Sequence, residues 1–143
     1  MNALRLPYAT LSPEAYQGLL MTKKALEKST LGLELIELVY LRISQINGCA
    51  FCLKMHAGWL RGAGVSNEKL DSLAGWRVCT LFSPREQAAL AWTESLADVA
   101  LTHAPDEHFT PLREHFTETE IADLCFAIAL MSTFNRLAIG ARQ

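Results

Sequence analysis

Four side chains between positions 37 and 56 carry the groups needed for thiol redox chemistry: Glu37, Cys49, Cys52 and His56. Two cysteines separated by two residues can close a small disulfide ring and reopen it, and the thiolate is the nucleophile in that exchange. A helix starting close to Cys49 would set unpaired backbone N–H groups and a partial positive charge beside the sulfurs, which favours thiolate over thiol. On that helix Cys49, Cys52 and His56 have the i, i+3, i+7 spacing of a single face. His56 can then act as a base or a hydrogen-bond partner for the Cys52 sulfur. Glu37 stands in a segment that is apolar nearly all round, and its neighbours at three and four residues (Leu33, Glu34, Tyr40 and Leu41) include no cation. A buried Glu37 must therefore find its partner on another element. A chain that folds back at Asn47-Gly48 can bring His56 to it, and a carboxylate on one ring nitrogen fixes the tautomer, leaving the other nitrogen free.

The elements that must hold these residues read as helices throughout, with no strand alternation or hairpin signal. After an extended lead-in over Leu4 to Ala9, Ser12-Pro13-Glu14 caps and opens a helix to about Lys28. A second, almost wholly apolar helix runs from Leu33 to Ile46, suited to the middle of a bundle or to a subunit interface. Gly48 ends it in the left-handed conformation, and a third helix runs from close to Cys49 to about Arg61. Ser66 caps a short helix to about Ala74, stopped by Gly75, and Trp76 to Phe82 is an apolar connector. Ser83-Pro84-Arg85-Glu86 opens a helix to about Val99. His103 to Pro105 is a loop, and Asp106 to His115 a weak, polar helix. Thr117-x-x-Glu120 is a capping box for a last long helix to about Ile139. The expectation is an all-α single domain over residues 1–143.

With 143 residues, half of them hydrophobic, and a formal charge of −2, the chain has a core of ordinary size and no basic footprint for nucleic acid. The N-terminal residues carry no signal-peptide pattern, and the longest strongly apolar run, Leu124 to Met131, is shorter than the roughly 20 residues of a membrane helix. The expected setting is cytoplasmic, where a close cysteine pair reads as redox or metal chemistry rather than a static cross-link. Cys79 and Cys125 read as small core residues, Trp59, Trp76 and Trp92 as core packing, and His103, His108 and His115 as surface. Nothing calls for a cofactor. A structural metal site on Cys49, Cys52, His56 and Glu37 is the reading from a different class, although three ligands on one helix are unlike common zinc folds.

Glu37, Cys49, Cys52 and His56 match the Glu-x11-Cys-x-x-Cys-x3-His pattern of the AhpD-like alkylhydroperoxidases, within the carboxymuconolactone decarboxylase family. The run from Leu41 to Cys49 is similar too, and Phe134-Asn135-Arg136-Leu137 resembles the Asn-Arg signature of the family's last helix. The likeness is densest over residues 33–77. It implies an AhpD-like helical bundle assembled as a trimer or hexamer. It also implies a peroxidase in which Cys52 attacks the peroxide, Cys49 resolves the sulfenic acid, and Glu37 and His56 relay the proton. A dithiol, such as a lipoyl-bearing protein, would reduce the disulfide. Phe51 departs from the pattern, since better-known peroxidases of the family have a histidine there. That change leaves room for a protein disulfide reductase or redox sensor of the same fold. The family's lactone decarboxylases lack the cysteine pair, which argues against that reaction. The helix dipole favours Cys49 as the more acidic thiol, whereas the spacing to His56 favours Cys52 as the peroxide-reactive one.

Overall fold

The computed structural model describes residues 4–143, so residues 1–3 of the expected 1–143 domain lie outside the described chain. Helix α3 (Leu33–Asn47) is its axis, packed against α4 (Ala50–Gly62), α6 (Pro84–Ala97) and α9 (Glu118–Ala141). Its apolar residues are distributed so that two stripes are buried. Leu35, Ile36, Val39, Tyr40 and Ile43 join Ile121, Leu124, Ile128 and Met131 of α9 and Trp92 of α6. On the other side, Leu38 and Leu41 join Leu60, Leu73, Trp76 and Leu90. Each such side chain contributes about 1.5–3 kcal/mol on burial, which is what holds α3 at the centre. The apolar second helix is thus the middle of the bundle, and its composition no longer argues for a subunit interface.

Local chemistry sets the helix ends. The capping boxes at Ser83/Glu86 and Thr117/Glu120 both form, and Ser66 accepts from the Lys69 amide. Gly48 is left-handed at φ 69°, ψ 39° and closes α3. At the other end of the chain, Pro7 seeds a single turn, α1 (Tyr8–Leu11), in place of the expected extended lead-in, with its carbonyl accepting from Thr10 and Leu11. Ser12 gives no side-chain cap to α2 (Pro13–Leu26), because its backbone is bent by the bond from its own amide to the Tyr8 carbonyl. After α5 (Asn67–Asp71), which ends short of the expected Ala74, the chain tightens into 3₁₀ turns over Leu73–Val78, kinked at Gly75, whose backbone is non-helical at φ −103°, ψ 23°. The α6 helix breaks at Asp98 before a one-turn α7 (Val99–Thr102). The expected polar helix splits into α8 (Asp106–Phe109) and a 3₁₀ turn over Thr110–Glu114, where Pro111 has no N–H to continue an α-ladder.

By length and composition α9 passes for a membrane span, with a mean hydropathy of 1.5 over its best window, but half of that window is buried inside the protein. It is the long core helix. Trp59 is 38 % exposed rather than buried, since the inward face of α4 is taken by Cys52, His56 and Leu60. Cys79 and Cys125 are half-buried at the edges of the core, the latter accepting from Trp92 Nε1 at 3.4 Å. His103 is exposed, whereas His108 and His115 are half-buried. His108 Nδ1 lies 2.8 Å from the buried Ser95 Oγ, a structural role.

Glu94 on α6 ties the connector to α3, accepting from Arg42 Nε at 3.0 Å, Trp76 Nε1 at 2.9 Å and Arg77 Nη1 at 2.5 Å. Burial pushes its carboxyl pKa up. The bonds from Trp76, Arg77 and Arg42 and the Arg42 charge together outweigh that and hold it below the ordinary carboxylate value. Its contribution to stability is therefore present above the unfolded pKa and is lost as the pH falls through the lowered native one. Glu94→Ala is expected to cost about 2–3 kcal/mol at neutral pH, read from the urea midpoint, with the gap to wild type closing in acid. A gap independent of pH would assign the loss to packing alone.

Candidate redox-active site

Cys49 is the N-cap of α4, and its Sγ accepts the Cys52 amide at 3.3 Å while bonded in a disulfide to the Cys52 sulfur. The left-handed Gly48 turns the chain so that Cys49 can sit there, and the Gly48 and Cys49 amides both donate to the Ser44 carbonyl, at 2.9 and 3.1 Å. Both sulfurs are buried, packed on Ala138 of α9. A cap sulfur that satisfies an otherwise orphaned amide is held at the positive end of the helix, where a thiolate is stabilised.

One turn further on, His56 Nδ1 lies 2.6 Å from Glu37 Oε2, with His56 1 % and Glu37 6 % exposed. This is the cross-helix partner that α3 itself cannot offer Glu37, and it offsets the cost of burying a carboxylate. An ionised carboxylate only accepts, so Nδ1 carries the hydrogen, and in the neutral ring Nε2 keeps a lone pair. Nε2 is buried and has no hydrogen-bond partner. The Tyr40 ring lies against the imidazole at 5.3 Å between centroids. Burial, and then the charges of Glu37 and Glu27, push the Tyr40 phenol pKa up, so it remains a neutral wall and not a rival base.

Cys52 and His56 open into the same cavity of about 160 Å³, between α2, α4 and α9, whose other walls include Tyr16, Leu20, Met131 and Phe134. In this disulfide-bonded state Nε2 makes no bond to the sulfur, so the link expected from the spacing is a shared cavity rather than a contact. Cys49 faces a separate cavity of about 340 Å³ with Gly48, Ala50, Ile139 and Arg142. Phe51 is 41 % exposed and lines both. The two cysteines of one disulfide therefore line different cavities. Among the described residues no three His, Cys, Asp or Glu side chains gather where an ion would sit, because Glu37 is turned to His56 and the sulfurs to each other.

A strut that the motif does not announce supports this corner. Asn135, fully buried in α9, donates to Ser44 Oγ at 3.1 Å and accepts from Asn47 Nδ2 at 3.1 Å, while Ser44 Oγ donates to the Tyr40 carbonyl at 2.8 Å. It locks the end of α3, and hence the turn that aims Cys49, onto α9. The signal in the sequence was Asn135 of the Asn-Arg signature in the last helix, which the resemblance marks without a role.

The carboxymuconolactone decarboxylase family model matches residues 12–95, more than half of the chain and all four site residues. The chain belongs to that family. Within the carboxymuconolactone decarboxylase family it is similar to the uncharacterized protein YdfG of Bacillus subtilis, 33 % identical over 95 % of this chain and 92 % of that one. A crystal structure of a protein of unknown function from Agrobacterium tumefaciens, suggested to be the antioxidant defence protein AhpD, superposes with a TM-score of 0.93. It is 37 % identical and covers 99 % of this chain and 97 % of that one, so the fold is AhpD-like. The debrominase Bmp8 shares the fold at 19 % identity and a TM-score of 0.79, covering 94 % of this chain and 72 % of its own.

Proposed function

We propose that this carboxymuconolactone decarboxylase family member is a thiol-dependent peroxidase cycling between a Cys49/Cys52 dithiol and the disulfide. A fold that also carries a debrominase does not by itself name a reaction, so the reading rests on the site. The observation that carries it is the buried, carboxylate-anchored His56, which lines the cavity together with Cys52 and whose Nε2 has no hydrogen-bond partner. In the reduced protein His56 takes the Cys52 proton. The Cys52 thiolate attacks one peroxide oxygen and the O–O bond breaks. Cys52 leaves as the sulfenic acid, and the proton returns from His56 to the departing alkoxide, giving the alcohol. Cys49, held as N-cap where a thiolate is favoured, attacks the Cys52 sulfur. The S–S bond forms, and the departing hydroxide takes up the proton given up by the Cys49 thiol and leaves as water. A dithiol reductant, such as a lipoyl-bearing protein, then supplies two electrons by exchange.

This division of labour reconciles the two arguments about the cysteines, with the dipole serving the resolving sulfur and the base serving the attacking one. The exposed apolar side chains Phe51, Met55 and Trp59 on α4 and Phe126 on α9 suit assembly with further copies, and a cytoplasmic setting suits the thiol cycle. The same apolar stripe beside the disulfide favours a second reading, a reductase of protein disulfides. One equivalent of cumene hydroperoxide added to the reduced protein should consume both thiols, release cumyl alcohol and leave the protein two hydrogens lighter. Peroxide left intact while a disulfide-bonded protein is reduced would transfer the assignment to the second reading.

A further inference from the structure

The cavity at Cys52 has a charge pattern of its own. Its walls are mainly apolar, from Leu20, Phe51, Met55, Met131, Phe134 and Ala138, and no acidic side chain lines it. Lys23 of α2 lines it and is half-buried there. Among the described residues the Lys23 ammonium makes no ion pair and no hydrogen bond, whereas that of Lys69 is paired with Glu86 at 2.7 Å. The cavity is therefore lined by the disulfide's Cys52, the imidazole of His56, a greasy middle and a lysine whose ammonium has no partner. At about 160 Å³ it resembles in size an apolar cavity of roughly 150 Å³ that admits a benzene ring.

We propose that the preferred substrates are organic hydroperoxides whose ring-sized or short-chain apolar body carries a carboxylate, which Lys23 pairs with while the peroxide faces Cys52. This rests on the peroxidase reading and narrows it. An apolar body replaces water along the α2 and α9 walls. A carboxylate partly shielded from solvent gains more from an ammonium than it would in free solution. The same wall disfavours cationic peroxides and gives hydrogen peroxide nothing to hold. The redox balance is that of the parent cycle: the hydroperoxide becomes the alcohol, one water is released, and the dithiol becomes the disulfide.

The test pairs cumene hydroperoxide with its para-carboxylated analogue, compared as a ratio of kcat/KM within each protein, so that the fraction of active enzyme cancels. Wild type should prefer the carboxylated peroxide by about twofold to fivefold, the range of a partly exposed ion pair. Raising salt should shrink that preference. Lys23→Gln should bring the ratio to about one and Lys23→Glu below one, while Lys24→Gln, on the exposed side of the same helix, keeps the wild-type ratio. A wild-type ratio of one, or a ratio that survives Lys23→Gln, overturns the substrate assignment while leaving the peroxidase intact. Failure of wild type to consume either peroxide removes the peroxidase reading itself.

Discussion

Cys52→Ser is expected to lower peroxide turnover with dithiothreitol to the rate of the uncatalysed mixture, a drop of about 10³-fold or more. A serine hydroxyl at neutral pH is a far weaker nucleophile than a thiolate, and His56 alone cannot make up the difference. The scaffold around the substitution stays in place. Position 52 still offers its backbone amide to Cys49 Sγ, and the Glu37–His56 bond does not involve the sulfur. The loss therefore reports chemistry and not unfolding, which a matched melting curve checks. Cys49→Ser should behave differently. With no external thiol present, it should complete one turnover, leave a sulfenic acid on Cys52 that dimedone traps, and then stall for want of a resolving thiol. The reverse pattern, with Cys52→Ser trapping dimedone on Cys49, would exchange the two roles.

Glu37→Gln should cost about 10²–10⁴ in kcat/KM while changing stability by less than about 1 kcal/mol. The amide has the shape of the carboxylate, and its oxygen can still accept from His56 Nδ1, so the 2.6 Å contact has a neutral substitute. What disappears is the negative charge facing the imidazolium that forms when Nε2 takes the Cys52 proton. An amide that presents its NH₂ instead would force the other tautomer and close the lone pair altogether. Iodoacetamide alkylation of the reduced variant followed across pH separates these effects. The wild-type protein should alkylate faster at neutral pH, and the variant should need more alkaline conditions. Equal alkylation profiles and equal peroxide turnover would reduce His56 to a satisfied core histidine.

The parts of this site that were legible in the sequence share one property: they follow from local chemistry or from what a local environment lacks. Gly48 after a helix, the capping boxes at Ser83 and Thr117, and the i, i+4 phase of Cys52 and His56 are each contained in a few adjacent residues. The cross-helix need of Glu37 was readable because its neighbours three and four residues away on its own helix include no cation. Where the sequence misled, the deciding information was rotational or long-range. Trp59 reads as core by hydrophobicity, yet the rotation of α4 set by Cys52, His56 and Leu60 turns it outward. Ser12 has the right residue type for a cap, but the turn seeded by Pro7 takes its backbone first. Lys23 and Met131 reach the cavity from helices whose approach no short motif encodes, and the Asn135 strut joins residues 88 and 91 positions apart.

Cys49 caps a helix with the same sulfur that it lends to the disulfide. In the oxidised protein that cap is an uncharged acceptor for the Cys52 amide. Once the disulfide opens and Cys49 ionises, the same amide meets a charged sulfur, and charge-assisted hydrogen bonds are roughly twice as strong as neutral ones. The first turn of α4 therefore gains a firmer tether in the redox state that loses its covalent one. In the proposed cycle such an exchange would keep the frame carrying His56 in register, so that the imidazole and Cys52 hold the same relation each time the dithiol is restored.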